Sequence, residues 1–428
     1  MIPKDLNDTF YVVKQIAQLL EKKGGKALLV GGCVRDAIMG IASKDFDLEV
    51  YNLSCEEIKQ ALEGKYELDL VGMSFGVMKV KHFDIDIALP RTENKTGLGH
   101  RGFMVEMDPT LSFSQAAARR DFTVNAIMKE PLTGEIIDPW NGLSDLNNKI
   151  LHHVSSHFSE DPLRVLRAMQ FIGRFNFVCA KDTIELCKTL SQNELAKERL
   201  AQEWEKLLVK GKYVSLGLKF LVDSEWIQFY PSLVKLYQQS SLNNFIVWNR
   251  LLIRIDNTIL YRTGNYDEDL ILMVTSLCSE FSSSQEIKDF LNQIWNKNYL
   301  LEYVLLFLEN LAEAKRLGDK NASDGKLRRL ALKVKKPKLF LQVVKAVTSN
   351  VEDKDNGLHE QLYNHFYRLN IHETPPVALI QGRHLAPLGI PAGPQMGKLL
   401  KTCFEAQLDG VFDNLENGLL YLKKINNL

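Results

Sequence analysis

ALLVGGCVRDAIMGIASKDFDLEV, Ala27 to Val50, holds a strand, a glycine turn, a helix-like segment and a second strand in one stretch. The apolar run from Ala27 to Val30 breaks at Gly31-Gly32, and Arg35 and Asp36 lie on the segment that continues through Met39. Asp45 and Asp47 then fall at i and i+2 of a strand pattern, and a side-chain period of two puts both carboxylates on one face. Two aligned carboxylates either repel or share a cation. Mg²⁺ suits them, because it takes oxygen ligands and binds through one or two carboxylates together with substrate phosphates. The glycine pair upstream lets backbone N–H groups approach a phosphate at the start of a helix, where the dipole also favours an anion. Taken singly, a Gly-Gly turn is only a turn and a DxD strand is a solvated face.

Together the two form GGxVRD followed nine residues later by DxD, and this pattern resembles the head motif of the nucleotidyltransferase superfamily that contains tRNA nucleotidyltransferases and bacterial poly(A) polymerases. A second motif supports the resemblance. In SQAAARRDFTVNAIM, Arg119, Arg120 and Asp121 precede an alternating apolar run, and paired guanidinium forks match phosphate oxygens bidentately. RRDFTxNA, which includes Asn125, resembles the second signature of that family, where the Arg pair and the Asp contact nucleotide phosphate and sugar. A further element, EIIDPWNGLSDL with Asp138 and Asp145, resembles the one that couples the head to the rest of the chain; from the residues alone it is a turn.

Two β runs lie between these motifs. In DIDIAL, Asp84 and Asp86 alternate with isoleucines, which makes one strand face acidic. Asp86 is the candidate third carboxylate for two-metal nucleotidyl transfer, with an exposed acidic edge strand as the competing reading. Arg91 to Asp108 is rich in charge, glycine and turn formers, and is expected to be a mobile loop beside the site.

SEDPLRVLRAMQFIGRF is expected to start a helix with Ser159 as N-cap and Pro162 near its first position. Asp161 and Arg164, three apart, would share one helical face, and Arg167 continues it. A carboxylate and a guanidinium can together read a base edge, although an i, i+3 ion pair is the plainer reading. The resemblance favours the first, since EDPLR resembles the EDxxR motif by which such enzymes choose CTP or ATP. KERLAQEWEKLL similarly resembles ERxxxExxK, with Arg199, Glu203 and Lys206 expected to brace the helix above.

The chain has 428 residues, too many for one compact core. It is 45% hydrophobic and 25% charged, a folded composition, and its 53 basic and 53 acidic residues cancel, so nucleic-acid binding would have to come from local patches. The six cysteines form no CxxC pair, which argues against a zinc site or a disulfide framework. No signal-like start or bilayer-length apolar run is present, so a cytoplasmic protein without a membrane partner is expected. From about residue 211 to 325 the pattern is repeated amphipathic helix, and no His-Asp dipeptide occurs, so the metal phosphohydrolase domain of some relatives is expected to be missing. KLRRLALKVKKPK places Lys326, Arg328, Arg329, Lys333, Lys335, Lys336 and Lys338 within thirteen residues, either a solvated basic helix or a contact to RNA backbone phosphate. Gly389 to Pro394 forms a turn into a helix suited to a tRNA phosphate.

The fold implied is α+β: a nucleotidyltransferase, polymerase-beta-like head with a mixed, mostly antiparallel sheet over 1–150, then an all-helical neck (151–210), body (211–325) and tail (326–428). The activity implied by the resemblance is Mg²⁺-dependent transfer of CMP and AMP from CTP and ATP to a tRNA 3′ end, releasing pyrophosphate. Asp45, Asp47 and Asp86 would serve the metals. Gly31, Gly32, Arg35, Asp36, Arg119, Arg120, Asp121, Asn125, Asp161, Arg164 and Arg167 would serve the nucleotide. Addition of A alone or of CC alone, poly(A) synthesis, and a noncatalytic RNA-binding protein are the rivals; the segment from Arg91 to Asp108 counts against the CC-adding reading, and intact Asp45, Asp47 and Arg120 against the last.

Overall fold

A computed structural model describes residues 6–73, 76–95, 103–193, 195–242, 245–318, 322–348 and 357–426. The chain divides into two compact units, Met1–Phe229 and Tyr230–Leu428.

The first unit runs α1 (Leu6–Glu21), β1 (Lys26–Val30), α2 (Gly32–Ile38), β2 (Phe46–Tyr51), α3 (Cys55–Leu62), β3 (Leu68–Asp69), β4 (Val77–Val80), β5 (Ile85–Ala88), β6 (Arg91–Lys95), β7 (Phe103–Met107) and α4 (Phe113–Ala118). It continues through β8 (Met128–Lys129), β9 (Ile136–Ile137), α5 (Gly142–Asn148), β10 (Ile150–Leu151), α6 (Leu163–Phe175), β11 (Val178–Cys179), α7 (Lys181–Lys188), α8 (Lys197–Lys210) and α9 (Val214–Asp223). Seven strands form one sheet in the order β3-β4-β5-β2-β1-β8-β9. Every pairing in it is antiparallel except β2 with β5, which run parallel with Asp47 opposite Asp86. The sheet buries Leu28, Val30, Tyr51 and Met128 against Ala116, Ala117 and Val154. The small alanines of α4 let that helix approach closely. Ser54 and Ser112 each close a capping box, with Glu57 and Gln115, and so fix where α3 and α4 begin.

Three local readings change. The segment from Arg91 to Asp108 is not a plain loop: β6 and β7 pair antiparallel from Arg91↔Met107 to Lys95↔Phe103, and the expected loop tip, 96–102, lies outside the described residues. The helix expected from Ser159 begins only at Leu163, because 156–160 wind as a 3-10 turn and Asp161 is extended. The neck, expected to be wholly helical, includes β11, which pairs in parallel with β10.

The second unit is helical throughout its described residues: α10 (Pro231–Ser241), α11 (Ile246–Thr258), α12 (Tyr266–Cys278), α13 (Ser284–Ile294), α14 (Asn298–Leu317), α15 (Asp324–Val334), α16 (Pro337–Thr348), α17 (Leu358–Arg368), α18 (Gly382–Leu385), α19 (Pro394–Leu408) and α20 (Leu415–Ile425). Helix α12 is apolar around most of its circumference and is buried from Asp269 to Cys278, and a helix of that kind forms the centre of a bundle. No helix is long and apolar enough to cross a membrane.

Gly142 opens α5, where Asp138 accepts from the N–H groups of Gly142 at 2.7 Å and Leu143 at 2.9 Å. A Cβ on Gly142 would stand 2.1 Å from the carbonyl oxygen of Thr123, a backbone atom that cannot swing aside. Gly142→Ala should therefore destabilise the first unit by about 1–3 kcal/mol, read from the urea midpoint. An unchanged midpoint would mean that the α5 turn is not pinned to the Thr123 segment.

Candidate active site

The turn after β1 is held by Gly31, whose φ of 73° lies in the left-handed region. A Cβ there would sit 3.3 Å from Arg120 Nη1 and 3.8 Å from Asp47 Oδ2, so the bare glycine is what lets these two side chains approach the turn. Asp45 just precedes β2, and Asp47 lies in it beside Asp86 of β5. Asp47 is exposed at the mouth of the site, yet the protein around it raises its carboxyl above the ordinary range, with Asp86 and then Asp45 adding to the rise and Arg120 opposing it. Oδ1 of Asp86 is buried without a hydrogen-bond donor, and Lys79 Nζ stands 4.0 Å away. An orphaned carboxylate oxygen next to a carboxylate crowded by like charges is a donor set that fits a divalent cation with oxygen ligands.

Arg119 and Arg120 converge on Glu49, whose carboxylate is 1% exposed; their Nη2 atoms lie 3.4 and 3.2 Å from its Oε2. Tyr51 donates to the other oxygen at 2.5 Å. Glu49 thus holds the two guanidinium groups side by side. The sequence reading stopped at DxD. The signal was there, since Glu49 continues the same period-two face, Asp45, Asp47, Glu49.

Arg35 and Asp36 do not face an open pocket together. The Arg35 guanidinium is buried, donates to Asp36 at 2.6 Å and to Asn125 Oδ1 at 2.6 Å, and lies over the rings of Phe171 and Phe175 at 5.0 and 4.8 Å. Asn125 donates in turn to Asp121 at 2.9 Å, and Asp121 accepts from Arg167 at 2.7 Å. A continuous polar chain therefore ties α2 to the RRDFTVN segment and to α6. Burial works against the Asp121 charge, but Arg167, Asn125 and Arg164 outweigh it and hold the carboxyl below its ordinary range. Arg167 is raised in response, first by Asp121.

The expected Asp161–Arg164 pair is rearranged. Asp161 lies ahead of the helix, accepts the N–H of Leu163 at 3.2 Å, and pairs with Arg199 of α8 at 2.8 Å. Arg164 donates to two backbone carbonyls, of Arg119 at 2.6 Å and of His157 at 2.7 Å. The i, i+3 spacing failed because the chain is extended at Asp161 and carries no helical face there. Glu203, buried, pairs with Lys206 at 2.7 Å. The basic segment is also paired. Arg329 meets Glu405 and Asp409, Lys333 Glu313, Lys335 Glu302, Lys336 Glu268 and Lys338 Glu373, while Arg328 donates to the Leu408 carbonyl.

Residues 27–152 match the family model described as the poly(A) polymerase head domain. The head of this chain is thus similar to the poly(A) polymerase head domain over residues 27–152. The multifunctional CCA protein of Xylella fastidiosa strain M23 is 38% identical to this chain over 190 residues, covering 43% of this chain and 44% of the relative. That of Xanthomonas oryzae pv. oryzae strain MAFF 311018 is 36% identical over 220 residues, 50% and 52% of the two chains. The match thus spans about half the length of these curated relatives. Among solved structures, a Bacillus stearothermophilus CCA-adding enzyme in complex with CTP is similar over 98% of both chains, with a TM-score of 0.72 at 24% identity. A Thermotoga maritima CCA-adding enzyme complexed with tRNA is similar over 100% of both, with a TM-score of 0.63 at 19% identity. At these identities the likeness is one of fold, and the mixed-sheet head with its helical continuation is the fold the nucleotidyltransferase motifs implied.

Replacing Arg167 by methionine would strand the Asp121 charge in the interior, and the expected loss near pH 7 is about 3–5 kcal/mol. In the native protein the depressed Asp121 carboxyl contributes stability that is present above its unfolded pKa and is lost as pH falls through its folded one. In Arg167→Met, burial raises that carboxyl instead, so the deficit should shrink toward about pH 5. Denaturant melts at both pH values test this; an equal deficit at both would place the loss in packing alone.

Proposed function

We propose that the protein is a template-independent tRNA nucleotidyltransferase that transfers CMP and AMP from CTP and ATP to a tRNA 3′ end and releases pyrophosphate. The observation that carries the reading is the arrangement of Asp47, Asp86 and Arg120 about the Gly31 turn. Supporting it are the poly(A) polymerase head match and relatives that carry the multifunctional CCA name.

In this reading Asp45 and Asp47, with Asp86 alongside, would hold divalent cations, two Mg²⁺ by their oxygen donors. Divalent ions held by these carboxylates would supply positive charge to the attacking primer hydroxyl and to the departing pyrophosphate. Arg120 and Arg119, preset by Glu49, would take the triphosphate oxygens bidentately, and backbone N–H groups at the Gly31-Gly32 turn would meet the same phosphates. The Asp121–Asn125–Arg35 chain would keep this arm in register with α2. Asp161 and Arg164 would read the base edge: Arg164, resting on two carbonyls, exchanges one for a base acceptor, while Arg199 positions Asp161.

The test is purified protein with tRNAs ending before, within and just short of CCA, each NTP supplied separately. We expect sequential C, C and A addition. Asp47→Asn should abolish every step while tRNA binding persists, and Arg164→Ala should admit UTP or GTP while transfer continues. Addition of A alone or of CC alone would narrow the activity, and long A tracts would make the protein a poly(A) polymerase. Full activity of Asp47→Asn would remove the carboxylates from the reaction.

The segment from Lys326 to Lys338 would contact tRNA backbone by exchanging exposed ion pairs, which hold little energy, for phosphate. Neutralising Lys333, Lys335 and Lys336 together should flatten the salt dependence of tRNA binding by about one log-log unit per lost contact. A slope identical to that of the native protein would confine these lysines to bracing the bundle.

A further inference from the structure

Away from the aspartates, His152, His153 and Asp182 bring one ligand atom each to within 4.8 Å of one another, the one such His/Cys/Asp/Glu group among the described residues. The sequence reading set zinc aside because the cysteines are scattered. That reading bears on thiolate ligands, whereas these imidazoles meet the carboxylate only through the fold.

Two of the three ligands, His153 and Asp182, are fixed from behind by hydrogen bonds. Nδ1 of His153 is 2.8 Å from Oγ1 of Thr183, a fully buried side chain that also accepts the His153 N–H at 3.1 Å. When Nδ1–H donates there, Nε2 is the nitrogen left to ligate. His152 Nε2 faces Asp182 Oδ2 at 2.8 Å, and its Nδ1 is turned toward Asp145 Oδ2 at 3.8 Å. Asp145 is itself held by the Thr123 hydroxyl at 2.6 Å. A ligating imidazole backed by a carboxylate or hydroxyl is the usual support of a protein-bound metal. Asp182 stands near the start of α7, and the Thr183 N–H donates to its Oδ1 at 2.8 Å. Oδ2 is therefore the oxygen turned to the histidines.

We propose that His152, His153 and Asp182 form a binding site for a zinc-class divalent transition ion, with solvent completing the coordination. Two imidazoles and one carboxylate suit Zn²⁺ among common ions, whereas Mg²⁺ prefers all-oxygen donors. With metal–ligand distances near 2.0 Å, tetrahedral ligands lie about 3.3 Å apart, so the 2.8 Å His152–Asp182 contact has to open by about half an ångström while the ligand atom of His153, within 4.8 Å of the other two, draws in.

The place of the site in the fold says what the ion would do. His152 and His153 sit beside the RRDFTVN segment: the Thr123 N–H donates to the His152 carbonyl at 2.9 Å, and Phe122 forms a bridge with His153. An ion here would clasp α7 to the backbone of the segment that carries Arg119, Arg120 and Asp121, and so stiffen it. This holds whatever reaction the aspartates support.

The experiment uses the full chain stripped of metal. Zn²⁺ titration by calorimetry should show one tight equivalent per chain, and Co²⁺ in its place should give the intense visible d–d absorption of a four-coordinate site, far above the weak bands of six-coordinate Co²⁺ on oxygen ligands alone. Saturating Zn²⁺ should raise the melting temperature by several degrees. Asp182→Asn, an exposed change that spares the fold, and His153→Ala should each weaken Zn²⁺ binding at least tenfold, while Asp47→Asn leaves it unchanged. Circular dichroism confirms that each variant folds. Zn²⁺ binding that survives both Asp182→Asn and His153→Ala, or the lack of a tight equivalent in the native chain, would overturn the proposal.

Discussion

A buried carboxylate cannot be left to itself, and Asp121 sets that condition for the elements packed around it. Its charge is removed from water, which alone would push it toward the neutral acid. Arg167 from α6 and Asn125 from its own segment keep it ionised, and Asn125 brings Arg35 with it from α2. Three elements far apart in sequence thus meet around one negative charge, and the strength of each contact depends on the others being in place. Arg35 also has to lay its guanidinium plane over the rings of Phe171 and Phe175. A lysine there would carry the charge without the flat stacking surface or the forked donors.

Glu49 works by the same rule at the mouth of the site. A carboxylate at 1% exposure draws Arg119 and Arg120 inward and satisfies its remaining oxygen with Tyr51. Two cations that would otherwise repel are set side by side, and a phosphate bound there would meet guanidinium groups whose placement has already cost its conformational entropy.

What could be read from the sequence was what is local. Gly31, Asp47 and the RRD run announce themselves through spacing, because turn, strand and helix periods act over a few residues. Contacts made by long-range packing could not be read that way. Asp161 chooses Arg199, 38 residues away, over the arginine three residues on, because the backbone is extended where a helical turn was expected. The β6–β7 ribbon was hidden for a related reason: charged and turn-forming residues in its strands speak for a loop until the partner strand supplies the hydrogen bonds. The ion pairs of the basic segment could not be read from composition either, since counting lysines does not reveal Glu268, Glu302 and Glu313 on neighbouring helices.

The single parallel pairing in the sheet carries a consequence for how such a head can change over time. Asp47 and Asp86 lie side by side on strands β2 and β5, but the chain between them makes an excursion through α3, β3 and β4 before returning. The distance between the two carboxylates is fixed by interstrand hydrogen bonds and owes nothing to the length of that excursion. Residues can be gained or lost along it, remodelling the outer edge of the sheet, while the two oxygens that would share a cation keep their spacing. Variation in reach and partner is thereby separated from the chemistry, and the one can drift while the other is held.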